Sequence, residues 1–292
     1  MKSTLANTVI SFTIVLSLLL TSRIAGAGET LTLGVHPFLS NEELIKKFTP
    51  LANYLEKKLG MNVRIRVGSN YQEHIRYIGL DKIDIAYMGP ASYVQLTDQY
   101  GDKPVLSKLE VNGHSYFQGN IITRIDSGIK TLEDLKKIQH EKNNQIAFGD
   151  PNSTMSYIVP HHMLHQAGIF TDNSEKHQFL NSHNNVALGV LTGDFQAGAV
   201  KPAVFEKFKS KGLFTIAMTP KISEHLFVTR STLDSNTIIK LKKIMLSMKD
   251  SAEGIEALHA IKKSITGLVK AQSSDYDNLR KIISESNELY PR

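Results

Sequence analysis

The 292-residue chain contains no cysteine. That absence excludes disulfides, thiol chemistry and a lipid attached at an N-terminal cysteine. No apolar run beyond Leu20 is long enough to span a membrane. No dense stripe of lysine and arginine is present, so no nucleic-acid partner is expected. Neither a repeat of fixed period nor a low-complexity segment occurs. No Gly-x-Ser-x-Gly frames a serine, and no His-Glu-x-x-His frames a metal. What remains has the composition of an ordinary globular protein, 41% hydrophobic and 21% charged.

The first 27 residues stand apart. Lys2 supplies a charged start, Val9 to Leu20 an apolar stretch, and Ala25-Gly26-Ala27 a small-x-small cleavage site. That order reads as a secretory signal peptide, too short for a membrane anchor. The formal charge is +6, and loss of Lys2 and Arg23 (no acid lies in the segment) leaves +4. A mildly basic chain suits an anionic ligand. About 265 residues then remain, enough for two lobes.

Thr30 to Val35 alternates like a strand. From Asn41 to Leu59, Leu44, Ile45, Phe48, Leu51, Leu55 and Leu59 recur at helical spacing, with Pro50 a point of kinking or restart and Gly60 a C-cap. Val63–Val67 is a strand, a helix runs through Ile75 and Ile78, and Ile83–Tyr87 is a third strand. This β-α-β-α-β order predicts a mainly parallel sheet with ligands at the carboxyl ends of its strands. Tyr71 and Tyr87 lie at or just past such ends. Ile121–Thr123 reads as a crossing into a second lobe, and Leu226–Thr229 as part of the return. Within the second lobe, strands are expected at Gln178–Leu180 and Ala197–Val200, and a helix at Asn184–Thr192. Asn236 to Arg292 is predicted to be helical with one break near Gly267. Its stripe of Ile239, Ile244, Leu246, Ile255, Leu258, Ile261, Ile265 and Leu268 is expected to cover a lobe.

The most informative stretch is Ile146 to Tyr157. A short apolar strand, Ile146–Phe148, enters a turn at Gly149-Asp150-Pro151, and Asn152 or Ser153 can cap the helix that follows. Free N–H groups, the positive end of a helix dipole and nearby hydroxyls together make an anion site.

Asp150-Pro151-Asn152-Ser153-Thr154, with Val159-Pro160 after it, resembles the signature of PhnD-like phosphonate, phosphite and phosphate-binding periplasmic proteins of ABC transporters. Gly34-Val35, Pro50 to Gly60, Asp84 to Tyr93, Gly198 to Lys201 and Ile222 to His225 match further blocks in the same order. The resemblance implies a type II periplasmic-binding-protein fold, α/β, each lobe a mainly parallel sheet flanked by helices, with a hinge between the lobes. Residues 28–119 with 218–292 would form lobe 1, and 120–217 lobe 2. It implies capture of a phosphorus oxyanion for an inner-membrane ABC permease by a periplasmic monomer with no cofactor, no metal and no enzymatic activity. The expected ligand contacts are Ser153, Thr154, Ser156, Tyr71, Tyr87, His183, Lys201 and His225. Binders of aminoalkylphosphonates carry acids where this chain has Ala203 and His225, and Met155 replaces a smaller residue. Glu224 is expected to face away from its neighbour His225, by strand alternation. A purely anionic ligand, rather than 2-aminoethylphosphonate, is therefore expected.

Other readings are weaker. His161, His162 and His165 have metal-ligand spacing but no nearby carboxylate. Ser153, His183 and Asp150 suggest a hydrolase triad without its framing motif. A ligand sensor that docks on a signalling receptor would share every site residue with a transport protein.

Overall fold

The computed structural model describes residues 30–139, 145–171 and 175–289. The expected signal peptide lies outside them. Two mixed sheets organise the chain. The first contains β1 (Thr30–Val35), β2 (Asn62–Val67), β3 (Ile85–Met88), β4 (Val105–Val111), β12 (Leu226–Thr229) and β13 (Ile265–Val269), in the order β13-β4-β12-β3-β1-β2. The second contains β6 (Asn120–Arg124), β7 (Ile146–Phe148), β8 (His177–Phe179), β9 (Ala197–Val200) and β10 (Leu213–Met218), in the order β10-β6-β9-β7-β8. The sheets are mixed rather than mainly parallel as expected: parallel pairing is confined to the β-α-β units, β1 with β2 and β3, and β7 with β8 and β9. Strands that leave or return, β4, β6, β10, β12 and β13, pair antiparallel. Two short strands, β5 (Tyr116–Phe117) and β11 (Ile222–Ser223), pair with each other on the two crossings between the sheets.

Local chemistry explains the elements. Helix α1 (Asn41–Leu59) begins where Ser40 Oγ accepts from Glu43 N–H at 3.4 Å. It carries Glu42 and Glu43 in its first turn, Lys57 and Lys58 in its last, and ends at Gly60 with φ 74°. Pro50 does not break it, because the carbonyl that Pro50 leaves unpaired belongs to Lys46, on the exposed face where water can serve it. Leu44, Phe48, Leu51 and Leu55 are fully buried under the first sheet. Each contributes about 1.5–3 kcal/mol. Ile45, expected in the same stripe, falls off that face and is 43% exposed.

The remaining helices flank the sheets: α2 (Tyr71–Gly79), α3 (Pro90–Tyr100), α4 (Leu132–Lys137), α5 (Val159–Gln166), α6 (His183–Thr192), α7 (Pro202–Lys209), α8 (Ser235–Leu246), α9 (Ala252–Ile261) and α10 (Asp277–Leu289). The C-terminal region differs from the predicted helical run. Ile265–Val269 forms β13 against β4, and Gly267 sits at a register shift in that ladder. Ile265 and Leu268 are therefore strand core, while Ile239 is 65% exposed and covers nothing.

One apolar cluster joins the two bodies. Met155, Ile158 and Val159, which follow the second sheet's β7, pack with Ile75, Ile78, Met88 and Ala91 beside the first. That contact sets β7's following turn against the N-terminus of α3.

Candidate functional site

A cavity of about 430 Å³ opens between the two sheets. Its deep wall comes from residues just past the carboxyl ends of six strands: His36 after β1, Tyr71 after β2, Tyr87 and Gly89 at the end of β3, Ser153 and Thr154 after β7, His183 after β8, and Lys201 after β9. A wider groove of about 1090 Å³ lies elsewhere, along α3 and α10. There Arg280 is accompanied by Asp98, Asp102 and Asp277, so its charge is already balanced.

The turn after β7 is a π-helical one. Ser153 is the N-cap, and residues Thr154–Ile158 wind with Ile158 N–H reaching Ser153 O at 3.1 Å before α5 takes over. Ser153 Oγ accepts from Ser156 N–H at 3.2 Å. Thr154 Oγ1 accepts from Ala91 N–H at 3.0 Å, across the cavity from the first turn of α3. Both hydroxyl hydrogens remain free to donate. Among the described residues the N–H groups of Thr154 and Met155 have no protein acceptor, as the first turn of a helix requires.

His183 has a defined tautomer. Lys201 N–H donates to its Nδ1 at 3.1 Å, so in the neutral ring Nε2 carries the hydrogen. Burial, then the charges of Lys201 and His225, lowers its pKa well below the usual histidine value and keeps it neutral. The Nε2–H is 3.5 Å from Ser153 Oγ. This is the reverse of a hydrolase triad, in which Nδ1–H meets a carboxylate and Nε2 takes the serine proton. Asp150 instead accepts from Asn152 N–H at 2.7 Å, capping the turn.

The other walls also donate. Tyr87 stays protonated because burial, then Glu224 and Tyr71, raises its pKa far above the usual phenol value. Tyr71 is likewise raised, by burial and then Asp150. Lys201 is half-buried against Phe38, its ammonium 4.7 Å from the ring centroid, and its pKa falls to about 8 through desolvation and then Lys262. Seven of the eight predicted residues thus line the cavity. Ser156 does not: its hydroxyl donates to Ala199 O at 2.6 Å and holds the turn onto β9. Met155 lines the wall, with Thr219 Oγ1 3.4 Å from its sulfur.

Three buried polar residues of the wall were missed from the sequence. His36 is 2% exposed, and neither ring nitrogen has a partner. Burial, then His225, His74 and Lys201, lowers its pKa well below the usual range. It follows β1 directly, so the strand-end rule that found Tyr71 and Tyr87 could have found it. Ser92, 1% exposed with an unpartnered hydroxyl, lies in the first turn of α3, which Gly89 caps and Pro90 opens. Glu224 is the third, and it corrects the expectation that it faces away from His225. Residues 224 and 225 lie between β11 and β12, outside any strand, so alternation does not apply. Glu224 Oε2 accepts from both His225 N–H at 3.0 Å and His225 Nδ1 at 2.9 Å. Burial opposes its ionisation, but the bonds and charge of His225 outweigh it and hold its pKa below the usual carboxylate value.

Among the described residues, no group of three or more His, Cys, Asp or Glu is placed to hold a metal. His162, from the spaced histidine set, instead faces Glu285 of α10 at 3.3 Å.

Two α/β bodies joined by two crossings around a donor-lined cavity define the class: a type II periplasmic binding protein. The chain belongs to the family described as ABC transporter, phosphonate, periplasmic substrate-binding protein, whose model matches residues 33–276. It is a family of transport components, not of enzymes. The chain is similar to a probable ABC transporter phosphite binding protein, PhnD1, of Prochlorococcus marinus: 22% identity over 277 residues, 89% of this chain and 91% of the relative. It is similar to the phosphate-import protein PhnD of Mycolicibacterium smegmatis at 23% identity, covering 88% and 86%. The solved structure of the Prochlorococcus protein, in complex with methylphosphonate, shares the fold with a TM-score of 0.78 at 22% identity, over 89% of this chain and 98% of that one.

Proposed function

We propose that the protein captures a phosphorus oxyanion (phosphate, phosphite or a phosphonate-like compound) in the periplasm and delivers it to an inner-membrane ABC permease. The observation that carries this reading is the donor inventory. Thr154 and Met155 N–H, the hydroxyls of Ser153, Thr154, Ser92, Tyr71 and Tyr87, and His183 Nε2–H all offer hydrogens, and Lys201 adds a charge. Only an acceptor-rich anion satisfies such a wall, and charge-assisted bonds to it are the strong ones. Ser156 supports the site from behind.

Residues 28–119 with 218–292 act as one lobe and 120–217 as the other. The boundary falls where Gly119 and Thr219 bind each other through N–H to hydroxyl at 2.7 Å and N–H to carbonyl at 3.0 Å. The paired β5 and β11 form the hinge ribbon beside it. The protein acts as a monomer after signal-peptide removal. Among the described residues no helix is long and apolar enough to cross a membrane.

An amine on the ligand is disfavoured. Lys201, Lys47 and Lys262 surround the space, and Glu224 is already engaged by His225. Calorimetry of the purified protein tests the reading with phosphate, phosphite, methylphosphonate, 2-aminoethylphosphonate and sulfate. The expected order places a phosphorus oxyanion first and 2-aminoethylphosphonate well below methylphosphonate. Tight binding of the amine alone, or of sulfate above every phosphorus compound, refutes it.

A further inference from the structure

The cavity exceeds the guest that its deep end accommodates. About 430 Å³ lies in the ~300–1,000 Å³ range of sites for small organic ligands, well beyond one tetrahedral oxyanion. Burial grades the walls. Ser92 at 1%, His36 at 2%, Tyr87 at 4% and Thr154 at 7% exposure mark the depth. Lys207, Lys262 and Lys263 are exposed and mark the mouth, with Lys47 and Lys201 half-buried between. These five lysines meet two carboxylates in the lining, Glu43 and Glu224. Among the described residues none of the five is ion-paired, and Glu224 is committed to His225. The lysines flank apolar surface: Lys201 lies over Phe38, and Lys47 Nζ donates to Ile261 O at 3.3 Å. Phe38, Leu39, Val204 and Ile261 supply that surface.

We infer that the ligand carries a second anionic group on a short apolar spacer, and that this group lodges near the mouth among Lys47, Lys201 and Lys262. The guest is then a phosphonate or phosphate ester bearing a carboxylate or a further phospho group. The inference rests on the oxyanion reading of the deep end. The unpaired ammonium groups of Lys47 and Lys201, partly withdrawn from water, attract a second anion more strongly than the exposed Lys262 beside them, because solvent screens them less.

Paired ligands of equal chain length test it by calorimetry: 3-phosphonopropionate against propylphosphonate, with propane-1,3-bisphosphonate as the phospho counterpart. One or both ligands with an anionic tail are expected to bind at least tenfold tighter than propylphosphonate, and the tighter one identifies the group. In the double variant Lys47→Gln, Lys262→Gln the ratio is expected to fall below threefold; both ligands are measured on the same protein, so the ratio is insensitive to partial misfolding. A ratio near one in the parent protein, with methylphosphonate still bound, overturns this inference alone. A large ratio that the double variant leaves unchanged also overturns it. If no phosphonate and no phosphate binds at all, the oxyanion reading fails and the inference with it.

Discussion

Lys201 combines two opposed tendencies in one side chain. Its ammonium is half-buried beside an aromatic ring, forms no ion pair with a carboxylate among the described residues, and loses its proton near pH 8 rather than at the ordinary 10.5. Between those values the unfolded chain holds more protons, so the empty protein gains stability as pH rises from about 8 to 10.5. Oxyanion affinity is expected to run the other way, full below about pH 8 and weaker above it as Lys201 loses its charge. Lys201→Met should therefore raise the melting temperature of the empty protein at pH 7 while weakening phosphite or methylphosphonate binding by roughly ten- to a hundredfold, the worth of a hydrogen bond to a charged group. Thermal scans and calorimetry on the same preparation check it; a variant that binds normally defeats the assignment of Lys201 to the site. Ser156→Ala separates support from contact. The lost bond to Ala199 O leaves a buried acceptor unmet, costing about 1–3 kcal/mol of stability. At a temperature where the variant is folded, its affinity should stay within a few-fold, and a hundredfold loss would mean direct ligand contact. Most of these residues were legible because strand ends and a capped turn predict where side chains converge. Glu224 was not, because strand alternation was applied to a link between two strands.

At the scale of elements, the turn after β7 depends on Gly149. A Cβ there would stand 2.5 Å from Ser156 Oγ and 2.9 Å from Ser156 Cβ, so the first turn must shift. Gly149→Ala should lower stability by about 1–3 kcal/mol, as overpacking does, and weaken ligand binding in parallel. Unchanged melting and affinity would show that the turn tolerates displacement. The strand-turn-helix order was legible from Ile146 onward, since an apolar run, Asp-Pro and a serine cap leave few alternatives. The π-helical winding was not, because it arises from packing of Met155, Ile158 and Val159 against α2 and α3 rather than from local propensity. The strand β13 was hidden for a similar reason. Five residues between helical segments acquire a ladder only when β4, more than 150 residues earlier in the chain, lies beside them.

In the molecule as a whole, the two lobes meet at contacts that a closing motion would make and an opening one would break. Gln72 Nε2 donates to Asn152 Oδ1 at 2.9 Å, Ala91 N–H reaches Thr154 Oγ1, and His162 faces Glu285. Gln72→Ala and Asn152→Ala should each weaken ligand binding by about two- to tenfold, the net worth of one hydrogen bond, and the double variant should lose no more than either. Additive losses would show that the two side chains act separately. Small-angle scattering should record a smaller radius of gyration when methylphosphonate is added, as hinge closure requires. Everything rests on one placement, an oxyanion at the start of the π-helical turn. A crystal structure of the protein grown with methylphosphonate measures it directly. The account predicts phosphonate oxygens at about 3 Å from Thr154 N–H and the Ser153 and Thr154 hydroxyls, with His183 Nε2 and Tyr87 closing the shell. Electron density for the anion beside Arg280 in the wider groove, with the cavity between the sheets unoccupied, would contradict it.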